Sequence, residues 1–479
     1  MERIQTLYIV LLKYTYVVTK RIDETIRNVL IWLFSFLLIS LCIYNYAIWS
    51  RVATTTQFQR DLLGCLCLAA IGLFSVNGEL KRIKWNRKIV FIWYILGGLI
   101  FLSGLLHSVE NSYWLWSFTM LIGFPGFYLI WHNRKDYSTL FDIISSAMLI
   151  IVLIYFVICL CTVSSQLYIS GRYWGVMRNP NHLGKVAASG MIAVLYLYFR
   201  LKDRYRWMLG IPGGICVILA ILSGSRSSMI IMAAQLLVFI SGNIQFCMSD
   251  RAYIKTATGM IGFILIGAAA CFLAGKSLDY CQMVHDMSMV HASTVTSVPD
   301  ETKESSGQQE ESVEENQTIS KGETTKQNSS VLANRFSVDG KSVDQISSGR
   351  ITIWKYFIAR FNLFGNNWTR YTPGTPEYTY QWAHNDVIEI SYRSGVIAGV
   401  FDALFLVYLG IYVLKTMFSK RNKVYQFFTS FSIIAYCGYA MFEVISFPFS
   451  MQYTFMCFAS LIPVFERRNE LWSRHRKSR

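Results

Sequence analysis

The run LFDIISSAMLIIVLIYFVICLCT, residues 140–162, carries a single charge, Asp142. A helix that crosses a bilayer needs roughly 20 predominantly apolar residues, and this run meets that length. Eleven more runs are read the same way, at 28–49, 61–77, 89–107, 114–131, 184–199, 207–223, 228–247, 257–275, 395–414, 425–444 and 451–465. The expectation is an all-α, polytopic integral membrane protein of about twelve transmembrane helices with one long extracytoplasmic loop.

Composition points the same way. Of 479 residues, 53% are hydrophobic and 15% charged, against about 25% charged in an ordinary globular chain. Mean hydropathy is +0.36. A soluble enzyme is disfavoured, and a disordered chain would lack this apolar content. Ten of the eleven cysteines fall in or beside apolar runs, with Cys281 the exception, and no CxxC pair occurs. They read as small buried hydrophobes.

The net charge is +16. In a soluble protein that would suggest nucleic acid; here its placement explains it. Alternate connections, starting with residues 1–27 and ending with the basic tail 466–479, hold 28 Lys and Arg, whereas the intervening short connections hold six. Positive charge stays on the cytoplasmic side, attracted to anionic lipid. Both termini are therefore expected on the cytoplasmic side. No nucleic-acid partner is called for. Residues 1–27 look amphipathic and suited to the inner membrane surface; no cleavable signal peptide is expected.

The connection 276–394, between the ninth and tenth runs, is expected on the outer side. Its part 286–347 is rich in Ser, Thr, Gln and Glu, with Phe336 the only aromatic, and reads as disordered. From Arg350 aromatics return, including Trp354, so 350–394 should fold against the domain of runs 28–275 and 395–465. Asn316, Asn328 and Asn367 begin N-x-[ST] patterns to which no role is assigned.

Polar residues of interest fall on that outer side. SGRYWGVMRNPNHLGK, 170–185, holds Arg172, Arg178, Asn179, Asn181 and His182. SGSRSS, 223–228, sets Arg226 in a Gly/Ser turn. SSGRITIWKYF, 347–357, holds Arg350, and WAHNDVIEISYRSG, 382–395, holds His384, Asn385 and Glu389. A lone Arg at a membrane edge is usually an anchor, which suffices for Arg51 and Arg60. Asn-Pro-Asn is commonly a turn, so Asn179 and Asn181 are caps or functional groups. Glu389 and Arg393 have the spacing of an ordinary helix-surface pair. Asp142, Asp402 and Glu443 lie in or near spans, where an acid either matters to function or bonds a neighbouring helix. Taken together, several arginines and a histidine facing outward suit a lipid diphosphate. Arginine binds phosphate oxygens bidentately, and histidine can take a proton from a hydroxyl. No carboxylate cluster of metal-site type is apparent, so neither metal nor cofactor is expected.

In this order, RNPNHLG (178–184), SGSRSS (223–228), GRITIW with LFGNNW (349–354 and 363–368) and HNDVIEISYRSGVIAG (384–399) resemble the O-antigen ligase and O-antigen polymerase-like family of bacterial membrane glycosyltransferases. The likeness spans roughly residues 165–465. It implies the lipid-phosphosugar glycosyltransferase type of fold, a polyprenyl-diphosphate-linked oligosaccharide as donor, and metal-independent inversion at the transferred sugar. It implies that Arg226 and Arg350 hold the diphosphate, with Arg172 or Arg178 as a further basic contact, and that His384 is the catalytic base. Asn179, Asn181, Asn385, Glu389 and Trp354 are expected to support them. The resulting expectation is a polymerase of lipid-linked repeat units for a capsular, exopolysaccharide or O-antigen polymer, with other polysaccharide-assembly proteins as potential partners. A ligase that moves finished glycan to another acceptor shares the motifs. A flippase of lipid-linked sugars would also be polytopic and basic, but it should carry polar residues near the bilayer midplane.

Overall fold

The computed structural model describes residues 2–44, 46–47, 57–78, 80–107, 112–134, 137–169, 171–250, 253–295, 347, 349–366, 382–419, 423–443 and 448–466. The sequons at Asn316, Asn328 and Asn367, most of 286–347, and the basic tail beyond 466 lie outside them.

Eight helices are long and apolar enough to cross a membrane, the make-up of a polytopic membrane protein. They are α2 (Glu24–Tyr44), α3 (Gln57–Ser75), α4 (Arg87–Leu106), α7 (Tyr137–Thr162), α8 (Pro180–Arg200), α11 (Arg226–Asp250), α12 (Tyr253–Val295) and α15 (Val396–Phe418). The other four expected runs are shorter or broken. Residues 112–134 form α5 (Ser112–Phe118) and α6 (Phe124–Arg134) around a π-helical turn at Thr119–Gly123. Pro125 follows at once, and a proline cannot donate the bond that a regular helix requires. The run 207–223, preceded by the four-residue helix α9 (Asp203–Arg206), yields a 3-10 turn and the 14-residue α10 (Gly210–Ser223). The run 425–444 ends early, as α16 (Val424–Ala440). The last run divides into α17 (Gln452–Ser460) and α18 (Ile462–Phe465), parted just before Pro463.

The described residues are helical as expected, apart from one short pairing in which Tyr168–Ile169 (β1) lies antiparallel to Arg172–Tyr173 (β2). One boundary needs correction. The connection expected from residue 276 begins as helix. The 43 residues of α12 span about 65 Å at 1.5 Å per residue, carrying helix through Cys281 to Val295.

Helix α8 is the central element, with 83% of its spanning window buried, against 11% for α12. Its run of Ala, Ser and Gly (Ala187, Ala188, Ser189, Gly190, Ala193) lets neighbours approach closely. Helix α10 lies against α12 so tightly that a Cβ on Gly214 would stand 2.3 Å from the Gly267 carbonyl oxygen. Outward positions of α12, such as Ile261, Leu265 and Phe272, are exposed, as a lipid-facing helix requires.

The connections sort to two ends. At one end the amide of Ile83 bonds Gln5, the amide of Lys81 bonds Asn133, Asn86 bonds the Phe465 carbonyl, and Arg200 pairs with Asp142 at 2.6 Å. Helix α1 (Glu2–Thr19) is held there by the Gln5 side chain. At the other end Arg178 N bonds Tyr46 O at 2.8 Å, Arg172 bonds Ser223 O, and His107 meets Phe364 O. Among the described residues, the connections around 81–86, 133 and 200 share the first end with α1, and the motif-bearing ones share the second.

On that second end sits a small satellite core. Helices α13 (Arg350–Ile358) and α14 (Asp386–Ser394) pack through Phe357, Ala383 and Tyr392, flanked by Ile353, Tyr356, Phe361 and Ile388. Phe357 and Tyr392 meet edge to face with centroids 4.8 Å apart. Gly365 and Gly395 let the two strands of chain cross. Both have positive φ, and a Cβ on either would lie within 2.2 Å of a carbonyl oxygen of the other segment.

Candidate functional site

Helix α14 begins with a strained residue. His384 has φ +51°, the one positive φ outside glycine among the described residues. Left-handed backbone at a residue with a Cβ costs free energy and persists only when its neighbours over-determine it. Here they do. The Ala383 amide donates to Glu389 Oε2 at 2.6 Å, and the Ala383 carbonyl accepts from Trp354 Nε1 at 3.0 Å. Asn385 caps α14 by accepting from Ile388 N at 3.1 Å, and its amide donates to Met441 O at 3.3 Å. Glu389 is fully buried and pairs with Arg393 one turn later. Arg393 lies 5.1 Å from the Trp382 ring, and its carbonyl accepts from Ser103 on α4. The expected surface pair Glu389/Arg393 is therefore an internal brace for the residue before His384.

The N-terminal end of α8 forms a second wall. Asn179 is its cap, accepting from Asn181 N at 2.9 Å. Arg172 spans from the β2 strand to Ser223 O at 2.8 Å and to Asn181 Oδ1 at 2.5 Å. Gly184 lies against the 223–228 turn, where a Cβ would stand under 3 Å from Ser223, Ser225 and Ser228. Ser225 bonds Ser228 at 2.9 Å, and Ser228 bonds the Tyr439 hydroxyl at 2.8 Å. This hydroxyl chain ties the start of α11, and so Arg226, to α16. His182 stacks on Tyr46 at 4.2 Å and is the neighbour of Arg178, whose Nε is buried without a hydrogen-bond partner among the described residues.

The two walls meet at Glu443. The end of α16 at Ala440 leaves this residue in the turn beyond the spanning segment, with its amide on Tyr439 O. One carboxylate oxygen lies 3.6 Å from Lys185 Nζ and the other 3.5 Å from His384 Nδ1. Lys185 is 2% exposed, and its ammonium also faces the Tyr439 ring at 5.9 Å. Burial alone would raise the Glu443 pKa; Lys185 first, then His384 and His182, overcome this and hold it at about 2. Arg350 lies 5.6 Å over Phe442, with Glu443 and Arg226 as its charged neighbours. Burial pushes the Arg350 pKa down, Glu443 opposes this, and Arg226 adds to it. Arginine remains charged under such shifts, so two guanidinium groups stand near each other beside one carboxylate.

Of the residues singled out from sequence, His384 and Arg350 therefore face Glu443, Arg226 faces Arg350, and Arg178 stands beside His182. Arg172 and Asn181 are instead braces bonded to one another. Asn179, Asn385, Glu389 and Trp354 hold backbone. Sequence reading passed over Lys185 as one of several outward-side cations and left Glu443 undecided. The available signal was a cation at the sixth residue of an apolar helix, which in a membrane needs a partner.

Comparison of the chain with protein-family models, with curated proteins and with solved structures finds no match in any of the three. The chemistry must be argued from the arrangement itself. Clustered guanidinium groups favour an anion with several oxygens, for which their planar forks are suited. An imidazole beside them can accept a proton. Elsewhere, an apolar cavity of about 670 Å³ lies among α8, α10, α11 and α12, lined by Met191, Val217, Leu236, Phe263 and Phe272 and, along α12, by Lys276 and Asp279.

Proposed function

We propose that the chain is a membrane glycosyltransferase that polymerises polyprenyl-diphosphate-linked oligosaccharide repeat units, in the manner of the family its motifs resemble. What carries this reading is the placement of His384 and Arg350 beside one carboxylate with Arg226 next to Arg350, although the three come from distant segments. In the proposed step an acceptor sugar hydroxyl attacks the anomeric carbon of the donor. His384 takes the hydroxyl proton. The bond from that carbon to the diphosphate oxygen breaks, and polyprenyl diphosphate leaves with the electron pair while Arg226 and Arg350 meet its charge. The configuration of the transferred sugar inverts. In this reading about twelve helical segments cross the cytoplasmic membrane, α16 ending its crossing at Ala440, both termini are cytoplasmic, and the site faces outward, as the Lys/Arg asymmetry favours. The apolar cavity beside α12 has a lining suited to part of a lipid tail.

The test supplies purified protein with a synthetic polyprenyl-diphosphate repeat unit as sole substrate, with EDTA present, and separates products by size. The reading expects a ladder that His384→Ala abolishes. Transfer only after addition of a different lipid or glycan acceptor would make the protein a ligase. Absence of transfer in both arms, with flipping of the lipid-linked sugar in vesicles, would replace the reading with an exporter.

A further inference from the structure

We infer that Glu443 is a positioning residue for His384, fixing which imidazole nitrogen faces the acceptor. The inference rests on the reading of His384 as the base. Glu443 Oε2 lies 3.5 Å from His384 Nδ1, close enough to form a hydrogen bond on a small approach, and that nitrogen is buried without a hydrogen-bond partner among the described residues. The His384 side chain as a whole is 41% exposed, so the buried nitrogen faces the carboxylate while the rest of the ring remains accessible. A carboxylate accepting Nδ1–H holds the neutral ring in the tautomer whose Nε2 lone pair is free. In the transfer step Nε2 then takes the acceptor proton as the new C–O bond forms and the C–O bond to diphosphate breaks. The resulting imidazolium stands beside the carboxylate. The strained backbone serves the same end, because the clamp on Ala383 and Asn385 fixes the direction in which the His384 side chain leaves the chain.

The competing role is purely structural. Lys185 is deeply buried, and its 3.6 Å contact with Glu443 could be the whole reason for the acid, since removing one member of a buried pair leaves an uncompensated charge. Variants of the full-length protein separate the two. Glu443→Gln should lower kcat about 100-fold, as loss of the orienting acid does in other His–acid pairs, with KM within about twofold. Glu443→Asp should recover part of the loss. The double variant Glu443→Gln/Lys185→Met removes the orphaned cation and should stay as slow as the single variant. A double variant restored to wild-type turnover reduces Glu443 to a counter-ion and overturns the inference.

A second readout is independent of turnover. In 15N-histidine spectra, the His384 signals, identified by their loss in His384→Ala, should report Nδ1–H in the wild type and a shift toward Nε2–H in Glu443→Gln. An unchanged tautomer overturns the inference even if activity falls. Full activity in His384→Ala removes the base assignment itself, and the role for Glu443 with it. An inactive His384→Ala beside a fully active Glu443→Gln removes only the role for Glu443.

Discussion

His384 combines a positive φ with a polar ring at the meeting point of four segments. The conformation has an energetic consequence separable from chemistry. Glycine adopts φ near +51° without a Cβ penalty, so His384→Gly should leave the folded protein equally stable or up to about 1 kcal/mol more stable. The same change should reduce transfer by about 10²–10⁴-fold. Thermal unfolding in detergent, run beside the assay, checks both; clear destabilisation would mean the backbone is unstrained there. Glu443 carries the pH dependence. Its carboxyl is held at about 2 against an ordinary 4.5, so the folded state binds fewer protons than the unfolded one. Its contribution to stability is complete above about pH 4.5 and is lost progressively as pH falls toward 2. Glu443→Gln should flatten that part of the stability curve.

Among the elements, α14 shows how a short helix positions a side chain it does not itself contain. Its cap, its first-turn acid and the indole of α13 all converge on the two residues flanking His384. The contributions should differ in size. Trp354→Phe removes one neutral hydrogen bond and should cost about 1 kcal/mol. Glu389→Ala leaves Arg393 buried without its carboxylate and should cost about 3–5 kcal/mol. Equal effects in a denaturation series would show that the Glu389–Arg393 pair is not the stronger brace. From sequence, the i,i+4 spacing of Glu389 and Arg393 was legible, but their burial was not. Spacing determines which side chains on one helix can meet, whereas burial depends on α4 and on the 363–366 segment packed over them.

Among the described residues, the connections around 81–86, 133 and 200 lie at one end and the Arg- and His-bearing motifs at the other, and lipid-suited side chains such as Leu265 and Phe272 are exposed on α12. The Lys/Arg asymmetry predicts that a reporter active only in the cytoplasm will work when fused at residue 479 and fail when inserted between residues 296 and 346. The opposite pattern would invert the orientation and place the candidate site inside. The separation of the ends also explains why the site was only half legible. Arg226, Arg350 and His384 stand out because each is a polar residue in a Gly-, Ser- or Asn-rich turn. Lys185 and Glu443 bind the same centre but sit where an apolar helix starts and just past where another stops, and a linear reading absorbs them into their spans.

By itself the sequence determined that this is a helical membrane protein and which segments are apolar. Those properties follow from hydropathy and charge summed over about 20 residues, and neighbouring helices do not alter such sums. Only the tertiary structure decided that four expected runs are shortened or broken, that α12 continues to residue 295, and that one carboxylate joins Lys185 to His384. A buried charge is paired across distances of hundreds of residues, and its partner is chosen by how the helices pack.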